Sequence, residues 1–135
     1  MSVEFKDNSI EVIAKINREV INALEEASGE LEAQVKRNTK VRTGKTKGSW
    51  QHKVDKVNNE AYVGSNYQNA VWEEFGTGIY AENGNGRKDV PWVYQSSDGK
   101  WHRTSGKKPR KALTNTFTRM KHRIERFFIE RFKNL

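Results

Sequence analysis

Two long stretches of the chain repeat apolar residues at steps of three and four, the spacing of one face of an α-helix. The first follows Asn8, an N-cap residue with Glu11 three positions later, and runs to about Lys40. Its stripe consists of Ile10, Ile13, Ile16, Val20, Leu24, Ala27, Leu31 and Val35. At about 1.5 Å per residue this helix spans roughly 45 Å. Because that exceeds the width of a small domain, either part of it contacts a neighbouring molecule or its ends are solvated.

The second stretch begins near Pro109, a residue suited to the first turn of a helix. Its stripe consists of Leu113, Phe117, Met120, Ile124, Phe127, Phe128, Phe132 and Leu135. The spacing predicts a second amphipathic helix with basic residues on its other face. An aromatic stripe of this kind suits a core, but its dense end, with Phe128 and Phe132, also suits a contact between protomers.

Between these helices, residues 49–55 and 59–63 have the composition of a β-hairpin. The chain has the length of one ordinary domain, 135 residues. We therefore predict an α+β fold and a single domain over residues 1–135. Its long N-terminal and C-terminal helices pack on a small antiparallel sheet.

Residues 79–106 are predicted to be a mobile loop that carries a second hairpin. A run rich in glycine and asparagine comes first, and Asp98-Gly99 is a turn signal within the hairpin. The large aromatic residues of this insertion are Trp92, Tyr94 and Trp101. Trp92 and Tyr94 share one strand parity, and Trp101 is expected to pair across from one of them. These side chains either contact a partner or fold back onto their own domain.

Residues 61–78 combine aromatic residues and glycines more densely than any other stretch. We predict that they form the centre of the subunit, on which both long helices pack. The central side chains would be Tyr62, Tyr67, Ala70, Val71, Trp72 and Phe75. Glu74 is expected to hold a turn through backbone N–H groups, or to contact a partner. Gly76, Thr77 and Gly78 would form the hinge of the insertion, with a positive φ at Gly76 or Gly78.

The charge of the chain is strongly uneven. The net charge is +8, and residues 101–135 alone hold eleven Lys or Arg against two Glu. This excess of positive charge in residues 101–135 indicates contact with nucleic acid or an acidic protein, or simply a solvated helix face. Hydrophobic residues make up only 34 % of the chain, so we expect a small core and a partner surface that supplies part of the burial.

A second basic segment lies between the first helix and the first hairpin. It contains Arg42, Lys45 and Lys47, which we expect on a mobile loop that contacts a partner. The string Gly44-Lys45-Thr46 is not a phosphate-binding P-loop, because Thr39 occupies the position of the first required glycine.

The residues that carry chemistry in enzymes are not arranged for catalysis. No nucleophile elbow or triad context is present, and the adjacent Glu73 and Glu74 would point in different directions from a helical turn. The chain has no cysteine and no His/Asp/Glu cluster with metal-ligand spacing. Without a signal peptide or a membrane-length apolar run, it is expected in the cytoplasm. We predict neither catalytic residues, nor a metal site, nor a cofactor.

Several short motifs occur in the order found in one protein family. They are Val41–Trp50 with its Thr-Gly string, Ala61–Ser65, Tyr67–Ala70, Glu74–Gly78 with the sequence Glu-Phe-Gly-Thr-Gly, and Pro109–Leu113. In this order and spacing the chain resembles the minor tail proteins of long-tailed bacteriophages, also called tail-completion, neck or head-to-tail joining proteins. It departs from them in its longer segment 79–106 and in Thr46, where an apolar residue is usual.

The resemblance implies a structural virion protein that acts by assembly. Such subunits form a ring, commonly a hexamer, between the DNA-filled head and the tail tube. Their partners are the connector or stopper protein and the tail terminator or tail tube protein. DNA passes through the channel without sequence-specific binding. The protein would be in the virion neck, after assembly in the host cytoplasm. The alternative is a nucleic-acid-binding protein that uses its basic C-terminal helix and aromatic hairpin.

Overall fold

The computed structural model describes residues 9–41 and 44–133, except for the side chain of Ser9. In chain order the elements are α1 (Ser9–Asn38), α2 (Lys45–Gly48), β1 (Trp50–Asp55), β2 (Glu60–Ser65), α3 (Gln68–Phe75), a 3-10 turn (Gly78–Tyr80), β3 (Trp92–Gln95), β4 (Trp101–Thr104) and α4 (Ala112–Lys133). The predicted α+β class, with two long terminal helices and a hairpin insertion, is confirmed. The predicted cap Asn8, the last stripe residue Leu135 and the site residue Arg42 lie outside the described residues.

The two long helices pack directly against each other in antiparallel directions. Arg123 of α4 lies 3.1 Å from Glu30 of α1, and Arg131 lies 3.1 Å from Glu26. A residue further along α4 thus contacts a residue closer to the start of α1, as expected for antiparallel helices. These ion pairs lie at the edge of the contact between the two helices, and Leu31 and Val35 of α1 and Met120 of α4 face the core.

The core is small and lies where α1, β1, α3 and α4 meet. Its buried cluster consists of Leu31, Val35, Trp50, Ala70 and Met120. The indole N–H of Trp50 donates to Thr39 Oγ1 at 2.8 Å, and the Thr39 hydroxyl donates to the carbonyl of Val35 at 2.6 Å. A polar pair therefore closes the edge of this core without leaving a buried donor unsatisfied.

The first hairpin lies across α1. β1 and β2 pair antiparallel from Trp50 opposite Ser65 to Asp55 opposite Glu60. His52 Nδ1 lies 3.2 Å from Glu32 Oε1 on α1. Burial alone would raise the pKa of Glu32, but the hydrogen bond with His52 and the nearby charge of Lys36 outweigh it and lower the pKa below its ordinary value.

The predicted central role of the aromatic residues in 61–78 is wrong. The side chains of the aromatic residues Tyr62, Tyr67, Trp72 and Phe75, and of the aliphatic Val71, are 37 % to 56 % exposed. α3 buries Ala70 and Glu74, which lie one turn apart on its opposite face. The physical reason is that the Glu74 carboxylate has partners inside the molecule, so the helix turns its apolar stripe outward.

The N-terminal end of α1 projects beyond α4. Arg131, near the end of α4, lies 3.8 Å from Glu19, and every residue from 10 to 18 is exposed. We call residues 10–18 the α1 arm, which extends for about 14 Å. Its apolar side chains include Ile10, Val12, Ile13 and Ile16, with 82 %, 53 %, 57 % and 39 % exposed.

Candidate functional site

A buried carboxylate from α3 holds the N-terminus of α4. Glu74 is 4 % exposed, and the backbone N–H groups of Leu113 and Thr114 donate to it at 2.9 and 2.8 Å. The Thr114 hydroxyl donates a third hydrogen bond at 2.6 Å. A helix N-terminus has unsatisfied N–H groups and a partial positive charge, so a carboxylate is favourable there. Glu74 thus binds backbone N–H groups inside the subunit, and those groups belong to α4 rather than to the turn after α3.

Hydrogen bonds close the base of the insertion. Thr77 N donates to the carbonyl of Lys107 at 2.9 Å, and Lys107 N donates to Thr77 Oγ1, also at 2.9 Å. Closer to the two helices, Arg110 N donates to the carbonyl of Glu73 at 2.7 Å, and Lys107 Nζ lies 3.0 Å from the Glu73 carboxylate. The chain leaving α3 and the chain returning to α4 therefore lie side by side.

Two glycines make this close approach possible. Gly76 has φ +80° and Gly78 has φ +60°, as the sequence predicts for this turn. A Cβ on Gly78 would lie 2.1 Å from the carbonyl oxygen of Ser105, and one on Gly76 would lie 2.9 Å from that of Lys107. The segment predicted as a hinge is thus packed against the returning backbone. Its mobility, and that of residues 79–106, stays a prediction.

The hairpin of the insertion has two unlike faces. Tyr94 lies opposite His102, with ring centroids 5.2 Å apart, and Trp92 lies on the same face. Trp101 lies opposite Gln95 on the other face and is 68 % exposed. The predicted pairing of Trp101 with Trp92 or Tyr94 is therefore wrong. A five-residue connection separates the strands where a two-residue turn was expected, and a register shift of one residue moves a side chain to the other face.

A groove of 740 Å³ separates the outward stripe of α3 from the hairpin. Its aromatic side chains are Trp72, Phe75, Trp92 and Tyr94; its carboxamides are Gln68, Asn69, Asn83 and Asn85; its cations are Arg87 and Lys107. We call it the aromatic groove. The Arg87 guanidinium lies 5.2 Å from the ring centroid of Trp92, and no carboxylate lines the groove. These groups favour an apolar partner segment that presents negative charge at its edge.

The basic helix α2 adjoins this groove. Asn69 lines the groove and donates through Nδ2 to Thr46 Oγ1 on α2 at 3.1 Å. Lys45 and Lys47 flank Thr46 on this single helical turn, which replaces part of the predicted loop. The structure thus brings α2 next to the aromatic groove, with Trp92 and Tyr94 on the far wall.

The predicted residues Phe128 and Phe132 lie elsewhere, on α4. Phe128 lines a second groove of 460 Å³ between α1, β2 and α4. We call this the apolar groove; its lining consists of Leu24, Ala27, Ser28, Leu31, Ala61, Tyr62, Val63, Leu113, Thr114, Phe117, Ile124 and Phe128. Phe132 lies one turn further along α4 and is 39 % exposed. The predicted interface residues therefore do not form one surface: Trp92 and Tyr94 line the aromatic groove, Phe128 lines the apolar groove, and Trp101 lies on the other face of the hairpin.

Sequence reasoning did not identify Trp72, Phe75, Arg87 and Lys107 as surface residues of a site. One feature of the sequence could have shown which face of α3 is buried. The segment 109–111 before α4 has no Ser, Thr, Asp or Asn to cap the helix. A helix without its own cap needs an acceptor from elsewhere, and Glu74 with the small Ala70 one turn earlier marks the inward face of α3.

Three further findings concern metal binding, membrane spanning and similarity to known proteins. Within residues 9–41 and 44–133, no group of three or more His, Asp or Glu residues is placed to hold a metal ion. No helix in the same part of the chain is long and apolar enough to cross a membrane. Comparisons with protein-family models, curated proteins and solved structures found no match.

The Glu74 contact predicts unequal effects for two adjacent glutamates. Glu74→Gln leaves a partly buried N–H or hydroxyl of α4 without its carboxylate acceptor, and the buried Glu74 site without its charge-assisted hydrogen bonds, which costs about 1–3 kcal/mol of unfolding free energy. Glu73→Gln removes an ion pair near the surface and costs about 0–1 kcal/mol. Chemical denaturation of both variants measures the difference. Equal stability of the two variants would contradict the role given to Glu74.

The packed base of the insertion predicts a similar contrast between two glycines. Gly78→Ala adds an unfavourable positive φ and an overlap with the Ser105 carbonyl, for a total cost of about 2–5 kcal/mol. Gly84 also has positive φ, but a Cβ there meets nothing within 4 Å, so Gly84→Ala costs only about 1–2 kcal/mol. Thermal unfolding compares them, and a Gly78→Ala chain as stable as Gly84→Ala would show that the base is not closely packed in solution.

Proposed function

We propose that the chain is a structural subunit of the ring that joins the head or connector of a tailed bacteriophage to the tail tube, and that it acts by assembly. The observation that carries this proposal is the excess of exposed over buried apolar side chains. Among the described residues, seven hydrophobic side chains are buried, whereas nineteen large ones are exposed. Monomeric soluble proteins rarely expose large contiguous apolar patches, which mark interaction surfaces. A chain of this kind reaches its full burial only with partners.

The accessible area supports the same conclusion. The chain exposes 10169 Å², whereas a compact monomer of its mass exposes about 7,300 Å². The projecting α1 arm and the hairpin insertion both contribute to this area. An extended subunit with a small core is suited to contacts with several neighbours at once.

The aromatic groove is the surface proposed for the neck or tail partner. Trp72, Phe75 and Tyr94 supply large exposed areas that lose little conformational entropy on binding. Arg87 adds positive charge, and the adjoining α2 adds Lys45 and Lys47. The order of motifs from the Thr-Gly string to Glu-Phe-Gly-Thr-Gly gives the phage assignment, through its resemblance to tail-completion proteins.

The outer face of α4 is proposed to face the DNA channel. Arg123 and Arg131 pair with glutamates of α1. The ion pairs within the described residues do not include Arg119, Arg126 and Lys133, which share the outer face of this helix. Exposed cations attract the phosphate backbone without reading its sequence.

Virus particles made with and without the protein test the proposal. In its absence, we expect negative-stain images to show separate heads and tails, and the wild-type protein to restore joining. Trp72→Ala should restore joining poorly, because it removes an aromatic wall of the groove. Val57→Ala is the matched control, since Val57 is 89 % exposed in the β1–β2 turn, and it should restore joining fully. Normal head attachment without the protein would overturn the proposal.

The free cations of α4 also favour a second candidate function, nucleic-acid binding by the isolated subunit. That function predicts measurable affinity for duplex DNA in filter-binding titrations, with a steep loss of affinity as salt rises. Arg119→Glu with Arg126→Glu should abolish this affinity, while Lys53→Glu on the exposed face of β1 should change it little. A chain that binds no DNA at low salt excludes this second function and leaves the joining role intact.

A further inference from the structure

The α1 arm presents an aliphatic surface that no other part of the described chain covers. Ile10, Ile13 and Ile16 follow one another at the spacing of one helix face, and Val12 lies one turn from Ile16. All four side chains are exposed, and Ile10 is the most exposed at 82 %. Since α4 ends beside Glu19, no described element of the subunit reaches this surface.

The apolar groove has the matching chemistry. None of its twelve lining residues is charged, and most are aliphatic or aromatic, including Leu24 and Leu31 from α1 and Phe117 and Phe128 from α4. Its volume of 460 Å³ falls within the range of about 300–1,000 Å³ of pockets that hold apolar groups. Amphipathic helices commonly bind in such grooves through side chains spaced at three and four residues.

The aromatic groove is a poorer receptor for the arm. Its polar lining includes Arg87 and the carboxamides of Gln68, Asn83 and Asn85, with which an aliphatic occupant would form no hydrogen bonds. The helix N-terminus at the end of the arm also carries partial positive charge, which Arg87 would repel. The arm and the apolar groove are therefore the complementary pair.

The charges beside the two surfaces agree on one direction of approach. On the arm, Glu11 and Lys15 are exposed one turn apart. On α4, Lys121 and Glu125 are also exposed one turn apart, beginning one turn after Phe117. A parallel approach places opposite charges together, whereas an antiparallel approach places like charges together.

We propose that the α1 arm of one copy of this chain packs into the apolar groove of a second copy, parallel to its α4. The two surfaces differ and lie on the same chain, so the contact is head-to-tail and leaves one arm and one groove free for further copies. This inference rests on the proposed assembly function, which it deepens by naming the surfaces that hold neighbouring subunits together.

Sedimentation velocity of the full chain over a range of concentrations tests the contact. The wild-type chain should form concentration-dependent oligomers. Ile13→Asp in the arm and Phe117→Asp in the groove should each weaken self-association about 100-fold. Ile129→Asp is the matched control, because Ile129 is 52 % exposed on α4 but does not line the groove, and it should assemble like the wild type.

Mixing the two variants gives the decisive result. The Ile13→Asp chain keeps an intact groove and the Phe117→Asp chain keeps an intact arm, so the mixture should form a heterodimer and nothing larger. A mixture that stays monomeric would overturn the proposal, as would a wild-type chain that never self-associates. Oligomers of Phe117→Asp alone would instead indicate a contact between two arms, and would also overturn it.

A charge exchange tests the same contact without changing an apolar residue. Glu11→Lys and Lys121→Glu should each weaken association about two- to fivefold. The chain with both changes should recover it, because opposite charges again meet between copies. Absence of recovery would contradict the parallel approach. Head joining is scored separately: if Ile13→Asp restores joining as well as wild type, the arm contact is wrong, although the joining function stands.

Discussion

The hydrogen bonds between the Glu74 carboxylate and α4 determine how the middle of the chain is oriented. Two backbone N–H groups and one hydroxyl of α4 converge on a side chain that lies about forty residues earlier in the sequence. A buried carboxylate that lost these partners would be strongly unfavourable. α3 can therefore present only the face containing Ala70 and Glu74 to the core. Its apolar stripe, with Tyr67, Val71 and Phe75, must then face outward, where it forms one wall of the aromatic groove.

Local patterns predicted the elements of this fold well, because helix and hairpin periodicities depend on neighbouring residues. The stripe from Ile10 to Val35 gave α1, and the two alternating segments gave both hairpins. The orientation of α3 could not be read in this way, since its amphipathic stripe normally indicates a buried face. Only the contact with α4, distant in sequence, reverses that inference. The face of Trp101 was missed for another reason: it depends on the length of the connection between β3 and β4.

The candidate site was predicted in part. Trp92 and Tyr94 do line a groove, and Phe128 lines another, but the sequence assigned Trp72 and Phe75 to the core. The role of the basic residues was likewise predicted only in part. The excess of basic residues in the last third of the chain was plain from the sequence, yet the pattern could not separate Arg123 and Arg131, which pair with α1, from Arg119 and Arg126, which face solvent. That separation requires knowing which flank of α4 lies against α1.

The closed base of the insertion has a consequence for chain entropy. Because Thr77 N donates to the Lys107 carbonyl and Lys107 N donates to the Thr77 hydroxyl, the ends of the intervening segment are fixed by the fold rather than by the segment itself. The entropy of closing such a loop grows slowly, by about 0.6 kcal/mol for each doubling of its length. Residues 88–103, which lie beyond the glycines packed at the base, can therefore be shortened, lengthened or replaced at little cost to the core. The sequence of the hairpin, and with it the partner that it binds, can therefore change while the helices and the core stay the same.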